Sequence, residues 1–205
     1  MVKNIIFDLG NVIINFDKDK IIDKFANNSE EKKYLIEENF NSLEWKKVDL
    51  GIISNEDAIS IIDKRNNYKF SDLTNIFWNK WYKVQTINED IVSIAKKLKQ
   101  NGYNIYVLSN MGIETYNFFK NHEFFKLLSG VIISSYCHIK KPDKKIFELL
   151  LNKYNLKAEE CLLIDDDDTN KTFEVANQIG ILGRRVNPND CYYIEKMLKD
   201  FKLNF

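Results

Sequence analysis

Four short apolar runs, each followed closely by polar residues, constrain the fold of this chain more than any other feature of its sequence. The runs cover residues 3–7, 104–108, 130–134 and 161–164. Amphipathic stretches lie between them, for example residues 88–102, where apolar side chains recur at helical spacing. Short buried strands that alternate with helices are typical of a parallel sheet covered on both faces. The sequence therefore predicts an α/β fold with a doubly wound parallel sheet.

The polar residues that follow these runs stand where such a sheet usually binds its ligand. In open α/β sheets, ligands bind at the carboxyl ends of the strands, near the switch point in strand order. We therefore expect one crevice to bring together residues that are far apart in the chain. They are Asp8, Ser109, Asn110, Lys141, Asp165 and Asp166.

The stretch between residues 16 and 85 follows a different pattern. Its apolar residues recur at helical spacing and form no strand-like run, which indicates a helical insertion after the first strand. We predict a helical cap domain over 16–85 and a core domain formed by 1–15 and 86–205. The insertion holds all three tryptophans, Trp45, Trp78 and Trp81, for which core packing is a simpler interpretation than a substrate wall.

Composition narrows the classes of partner. Thirty basic residues balance thirty acidic ones, so no net charge favours nucleic acid or an anionic membrane. Charged residues interrupt every apolar segment well before membrane-spanning length, and no signal-peptide core precedes Asp8. The three cysteines are widely spaced and form no C-x-x-C pair, as is usual in a reducing compartment. We expect a cytoplasmic protein, a monomer or weak homodimer, whose partner is a small molecule.

Taken in order, the four polar clusters resemble the four motifs of the haloacid dehalogenase-like (HAD) superfamily. FDLGNV at 7–12, SN at 109–110, KPD at 141–143 and IDD at 164–166 look most like the branch that contains α-D-glucose-1-phosphate phosphatases, and NQIGI at 177–181 matches it as well. One strand that ends in Asp is common, but four motifs in order at compatible spacing are specific. The resemblance covers the whole chain and implies a Rossmann-like core with a cap.

This resemblance implies a Mg²⁺-dependent phosphatase that hydrolyses phosphate monoesters of small metabolites, sugar phosphates such as glucose 1-phosphate among them. Its catalytic residues would be Asp8, Ser109 and Lys141, with Asp8 forming an aspartyl-phosphate intermediate. Ser109, Asn110 and Lys141 would bind the substrate phosphate. The metal ligands would be Asp8, the main-chain carbonyl of Gly10, and Asp165 or Asp166, and the sequence leaves open which of this last pair ligates directly.

The charges of these side chains suit that chemistry. A phosphate monoester dianion repels a carboxylate nucleophile, so the reaction needs local cations. Mg²⁺ prefers oxygen ligands, which Asp8 with Asp165 or Asp166 could supply, and Lys141 would be a second cation. A covalent intermediate on Asp8 would divide one difficult displacement into two easier ones.

Gly10 departs from the family pattern. Most phosphatases of this superfamily carry a second Asp two residues after the nucleophile as general acid and base. Such catalysis contributes about 10²–10⁴-fold, whereas enzymes accelerate phosphate monoester hydrolysis by up to about 10²¹-fold, so its loss does not exclude an enzyme. The loss matters least for a leaving group that needs little protonation, such as an anomeric sugar oxygen. Water or a cap residue could also deliver the proton.

Two other functions stay open at this stage. A haloacid dehalogenase also uses an Asp nucleophile but needs no metal, and the paired Asp165 and Asp166 argue against it. A non-catalytic phosphate-binding protein would explain Gly10. His138, three residues before Lys141, stands where we expect Gly in the closest relatives, and a lone histidine is usually structural.

Overall fold

The computed structural model describes residues 1–188 and 190–203, and its central feature is a parallel sheet. The strands in chain order are β1 (Asn4–Phe7), β2 (Ile14–Asn15), β3 (Thr86–Ile87), β4 (Asn104–Ser109), β5 (Leu128–Ile133), β6 (Cys161–Asp165) and β7 (Leu182–Arg185). Five of them form the parallel sheet in the order β5-β4-β1-β6-β7. The predicted α/β class and parallel sheet are confirmed.

Helices connect these strands and form most of the segment between β2 and β3. They are α1 (Lys18–Phe25), α2 (Ser29–Tyr34), α3 (Leu43–Asp49), α4 (Asn55–Arg65), α5 (Ser71–Lys80), α6 (Glu89–Gln100), α7 (Ile113–Phe119), α8 (Glu123–Lys126), α9 (Ser134–Cys137), α10 (Lys144–Lys153), α11 (Lys171–Gln178) and α12 (Cys191–Asp200). A π-helical turn covers Leu35–Phe40, and 3₁₀ turns cover Trp81–Val84 and Ala158–Glu160. No helix of the described residues is long and apolar enough to cross a membrane.

The sheet packs against helices on both faces because successive side chains of a strand point in opposite directions. Ile5 and Phe7 of β1 belong to an apolar cluster that includes residues of α6 and α12. Ile6, between them, belongs to a second cluster with residues of α10 and α11. The side chains of Ile5, Ile6 and Phe7 are fully buried. This is the doubly wound arrangement that the sequence predicts.

Two details of the sheet differ from the prediction. The third apolar run forms a strand over Leu128–Ile133, and Ser134 begins α9 instead of ending the strand. The edge strand β7 was not predicted, because Arg184 and Arg185 make up half of its four residues and give it no apolar run. Its burial is correspondingly incomplete, as is usual at the edge of a sheet.

Residues 16–85, called the helical segment below, have an apolar core of their own. Its buried members come from all parts of the segment, and Trp78 is the largest that is fully buried. The two connections to the sheet run side by side, because Ile14–Asn15 of β2 pair antiparallel with Thr86–Ile87 of β3. The chain thus enters and leaves the helical segment through one short two-stranded ribbon.

Candidate active site

The carboxyl ends of three neighbouring strands bring the predicted site residues together. Asp8 directly follows β1, Ser109 is the last residue of β4, and Asp165 is the last residue of β6. Since β1 lies between β4 and β6, Asp8 stands at the centre of this edge. Asp8, Ser109 and Asp165 are all buried.

Lys141 reaches this edge from the loop before α10 and contacts two of the carboxylates. Its Nζ lies 3.0 Å from Asp8 Oδ1 and 2.5 Å from Asp165 Oδ2. Both polar atoms of the Asn110 side chain hold the Lys141 backbone. The Lys141 N–H donates to Asn110 Oδ1 at 2.8 Å, and Asn110 Nδ2 donates to the Lys141 carbonyl at 3.0 Å. Asn110 thus fixes the loop that presents the ammonium group to Asp8.

Asp8, Asp165 and Asp166 form a cluster with the donor atoms of a metal site. One carboxylate oxygen from each lies within 4.8 Å of the others. Asp166 Oδ2 accepts a hydrogen bond from Asn11 Nδ2 at 2.9 Å, and Asp165 Oδ1 accepts one from the Asp167 N–H at 3.0 Å. Asp8 Oδ1 makes no well-aligned hydrogen bond within the described residues. Carboxylate oxygens at this spacing suit a hard divalent cation.

Burial and mutual repulsion disturb the ionisation of these groups. Burial raises the pKa of Asp8 from 3.8 to about 6, with the Lys141 ammonium acting against the shift and the Asp165 carboxylate adding to it. Burial also raises the pKa of Asp166, and its hydrogen bond with Asn11 opposes this. For Lys141, burial lowers the pKa, but the charges of Asp165 and Asp8 outweigh burial and raise it overall. The site is therefore short of positive charge.

The other two acidic residues of the 165–168 run, Asp167 and Asp168, are not part of this cluster. Asp167 accepts hydrogen bonds from the Thr169 N–H and hydroxyl and from the Thr172 N–H, at 2.7–2.9 Å. Burial raises the pKa of Asp167, but these hydrogen bonds outweigh burial and lower it to about 2. They tie Asp167 to the start of α11. Asp168 is exposed.

A cavity of about 150 Å³ separates this edge of the sheet from the helical segment. The sheet side contributes residues such as Asp8, Gly10 and Asn110. The helical segment contributes Phe16, Trp45, Asp49, Trp81 and Gln85. Trp78 only packs in the core of the segment, as predicted for all three tryptophans, whereas Trp45 and Trp81 pack there and also line the cavity.

Two residues at or near the cavity have positions that their sequence context does not predict. Asp49 lines the cavity from the end of α3, yet a single Asp in an amphipathic helix carries no sequence signal. His138 adopts a left-handed conformation, with φ of 57°, and its Nδ1 lies 2.9 Å from the Leu50 carbonyl. His138 therefore contacts the helical segment and does not line the cavity.

Comparison with known proteins identifies the family and fold of this chain. A family model of haloacid dehalogenase-like hydrolases matches residues 2–170. A HAD family enzyme from Bacteroides thetaiotaomicron, crystallised with magnesium and inorganic phosphate, is 19% identical, with a TM-score of 0.74 over 92% of this chain and 96% of that chain. A predicted HAD-like hydrolase from Porphyromonas gingivalis is 19% identical, with a TM-score of 0.76 over 97% and 98%.

A dehalogenase shares the fold as well. The L-2-haloacid dehalogenase of Xanthobacter autotrophicus is 15% identical, with a TM-score of 0.63 over 91% of this chain and 78% of that chain. At such identities the solved structures show a common fold, while the family model identifies the lineage. The family match over most of the chain shows that it belongs to the haloacid dehalogenase-like hydrolases.

Proposed function

We propose that this protein is a Mg²⁺-dependent phosphatase that hydrolyses phosphate monoesters of small metabolites through an aspartyl-phosphate on Asp8. The observation that carries the proposal is the position of Asp8. Its carboxylate faces the cavity, contacts the Lys141 ammonium, and shares a metal-like cluster with Asp165 and Asp166. A carboxylate between two cations is what attack on a phosphate dianion requires.

The charge balance explains why both cations are needed. The three carboxylates of the cluster face one ammonium group, so two negative charges are left uncompensated. A divalent cation neutralises them, and the Bacteroides enzyme was crystallised with magnesium and phosphate together. Bound Mg²⁺ supplies charge stabilisation for the phosphoryl group as it transfers. The substrate dianion then enters a site that no longer repels it.

The hydrogen bonds around the pair 165–166 favour different roles for its two members. Both Asp165 oxygens already accept, one from Lys141 Nζ and one from the Asp167 N–H. Asp166 Oδ2 accepts from Asn11, whose left-handed backbone turns its amide toward the site. Asp166 is therefore the direct metal ligand beside Asp8 and the Gly10 carbonyl. Asp165 orients Lys141.

Ser109 and Asn110 complete the phosphate site. A hydrogen bond from the Ser109 hydroxyl is among the interactions that lower the pKa of Asp8, which supports a role for this hydroxyl beside the nucleophile. There it donates to a phosphoryl oxygen when substrate is bound. Both polar atoms of the Asn110 side chain are hydrogen-bonded to the Lys141 backbone. Asn110 therefore contributes to phosphate binding mainly by positioning Lys141.

The helical segment acts as the cap domain and limits the substrate to small molecules. It has its own core and is joined to the sheet by the β2-β3 ribbon, so residues 16–85 can move as a unit. The volume of the cavity between the segment and the sheet, about 150 Å³, favours small substrates over polymers. The aromatic walls Trp45 and Trp81 suit the apolar face of a sugar ring, which favours sugar phosphates such as glucose 1-phosphate.

The acidic cluster argues against the dehalogenase alternative. A haloacid substrate carries its own carboxylate, which Asp8, Asp165 and Asp166 would repel, and dehalogenation does not need a metal to offset them. The likeness to solved dehalogenases is a likeness of fold. Function depends on the site that a fold carries.

Steady-state hydrolysis of aryl and sugar phosphates tests the proposal. The wild-type protein should release phosphate from 4-nitrophenyl phosphate with Mg²⁺ and stop when EDTA is added. Asp8→Asn should abolish turnover, because the amide cannot form the acyl phosphate, while leaving the protein folded. Asp168→Asn, an exposed change in the same acidic run, is the matched control and should retain activity. Turnover that survives EDTA or Asp8→Asn would overturn the proposal.

A further inference from the structure

The active site needs a proton donor for the leaving group, and Gly10 cannot be one. Of the residues that line the cavity in the described part of the chain, Asp8 and Asp49 carry carboxyl groups. Asp8 is the nucleophile of the proposed reaction and must attack as a carboxylate. Asp49 is the acidic group left over, and it faces the cavity from the side opposite to Asp8.

We propose that Asp49 is the general acid and base of this phosphatase, so that the helical segment supplies the group that the first motif lacks. The inference rests on the phosphatase function proposed above. It assigns to a residue of the cap a catalytic contact with the leaving-group oxygen.

Three contacts between the helical segment and residues in or next to α9 hold Asp49 in place. The Asp49 carbonyl accepts a hydrogen bond from Ser134 Oγ at 2.5 Å, and the same Ser134 Oγ accepts from the Met111 N–H at 2.9 Å. Met111 follows Asn110 and lines the cavity. The next two residues add the His138 contact with the Leu50 carbonyl and a close approach of Gly51 to Ser135. The position of Asp49 over the site is therefore fixed by backbone contacts.

Gly51 shows how tight this contact is. Its φ is +66°, a conformation that side chains rarely adopt, and a Cβ atom there would lie 2.1 Å from the Ser135 carbonyl oxygen. Only glycine allows the loop after α3 to approach α9 so closely. The tight approach brings the end of α3, and with it Asp49, down onto the strand ends.

The surroundings of Asp49 keep its carboxyl group partly protonated near neutral pH. Asp49 is the last residue of α3, where the partial negative charge of a helix C-terminus disfavours an ionised carboxylate. Burial raises the pKa of Asp49 to about 7, while the Lys140 charge and the Gly112 N–H oppose the shift. A general acid works best with a pKa near the operating pH.

A second cavity residue has a donor atom to offer a ligand. Gln85 is more than nine-tenths buried, and within the described residues its Nε2 has no hydrogen-bond partner. A buried amide donor without a partner is costly unless a ligand satisfies it. Gln85 and Asp49 line the same cavity, so a hydroxyl-bearing leaving group can accept from the first and receive a proton from the second.

The proposed step is balanced in atoms and protons. As Asp8 bonds to phosphorus, the bond from phosphorus to the leaving oxygen breaks, and the Asp49 carboxyl gives its proton to that oxygen. The products are an alcohol, the Asp8 aspartyl-phosphate and the Asp49 carboxylate. In the second half, Asp49 takes a proton from water as the water oxygen bonds to phosphorus. Asp8 leaves as a carboxylate, and Asp49 is protonated again.

A series of substituted phenyl phosphates and one alkyl phosphate tests this role. Asp49→Asn should lower kcat/KM, which reports the first half of the reaction, by about 10²–10³-fold on the alkyl phosphate, within the range of general acid catalysis, and by much less on 4-nitrophenyl phosphate, whose leaving group needs no proton. The dependence of log(kcat/KM) on leaving-group basicity should steepen. Wild-type activity on the alkyl phosphate should fall above pH 7 as Asp49 loses its proton. This fall should be absent in Asp49→Asn. Asp72→Asn, an exposed Asp of the same segment, should change none of these.

Rescue provides a second and independent measurement. A Cβ atom added at Gly10 would meet no atom within 4 Å, so Gly10→Asp can place an acid where the family usually has one. In the Asp49→Asn background, Gly10→Asp should recover activity on the alkyl phosphate more than on 4-nitrophenyl phosphate. If Asp49→Asn is unstable, Asp49→Ser carries the same test.

The outcomes separate this inference from the proposed function. If the wild-type protein hydrolyses none of these esters, the phosphatase proposal fails and the inference fails with it. If the wild-type protein is active but Asp49→Asn loses the same factor in kcat/KM on every ester, or loses nothing, the phosphatase proposal stands and Asp49 is not the acid.

Discussion

Replacement of Lys141 by Met should destabilise the protein and inactivate it at the same time. The Lys141 side chain is buried, and its ammonium group lies 3.0 Å from Asp8 Oδ1 and 2.5 Å from Asp165 Oδ2. Methionine fills nearly the same volume, so the change removes a charge and little packing. Two buried carboxylates then lose their cation.

The expected loss follows from this geometry. Removing one partner of a buried ion pair costs about 3–5 kcal/mol, because the remaining charge is left buried without compensation. We expect the unfolding free energy of Lys141→Met to be lower than that of the wild type by this amount at pH 7.5 in the absence of metal. The loss should be smaller at pH 5. The pKa of Asp8 is already about 6 with the lysine present and rises further when Lys141 is absent, so the Asp8 carboxyl can protonate at this pH. Adding Asp165→Asn to Lys141→Met should restore part of the lost stability, since the two residues are in contact.

Urea denaturation of the wild type, Lys141→Met, Asp165→Asn and the double mutant measures these changes in unfolding free energy. Lys144→Met is a matched control, because Lys144 makes an exposed ion pair with Glu148 that should contribute less than about 1 kcal/mol. In the presence of Mg²⁺, Lys141→Met should also lower kcat by about 10²–10³-fold, as removal of one stabilising group does in other enzymes. A Lys141→Met protein as stable as Lys144→Met, or a cycle without coupling, would refute the electrostatic reasoning.

Two further predictions concern the metal and the pH. Asp166→Asn should raise the magnesium concentration for half-maximal activity by at least about 10-fold, as measured by titration of kcat with Mg²⁺, while Asp168→Asn should not; equal metal requirements would contradict Asp166 as a ligand. In metal-free protein, the raised pKa of Asp8 means that the folded state binds more protons than the unfolded state between pH 4 and about 6. The unfolding free energy should therefore fall as pH rises through this window, and Asp8→Asn should remove that part of the decline; parallel pH profiles for the two proteins would contradict it.

The sheet and the chemistry at its edge could be predicted because both leave local marks in the sequence. A buried parallel strand must be apolar throughout, and the polar residues directly after it are easy to locate, as with Asp8 and Ser109. The edge strand β7 has no such apolar run. Arg184 and Arg185 lie at the edge of the sheet and are not fully buried, so these positions can be polar. Proximity across the sheet then follows from the rule on strand ends.

The role inferred for Asp49 could not be read from the sequence, because it depends on how two parts of the chain meet. Nothing near Asp49 distinguishes it from other acidic residues on exposed helices. Its position depends on contacts with Ser134 and on the space that Gly51 leaves at Ser135. Likewise, Trp45 and Trp81 read as core residues, and they are, but the same rings also form a wall of the cavity.

The central claim is that Asp8 accepts the phosphoryl group, and chemical trapping tests it most directly. Enzyme turning over 4-nitrophenyl phosphate with Mg²⁺ is quenched in acid and treated with borohydride, which reduces an acyl phosphate, and the peptides are then sequenced by mass spectrometry. The account predicts a reduced residue at position 8, formed only with substrate and absent from Asp8→Asn. Turnover without modification at Asp8, or modification at another carboxylate, would contradict it.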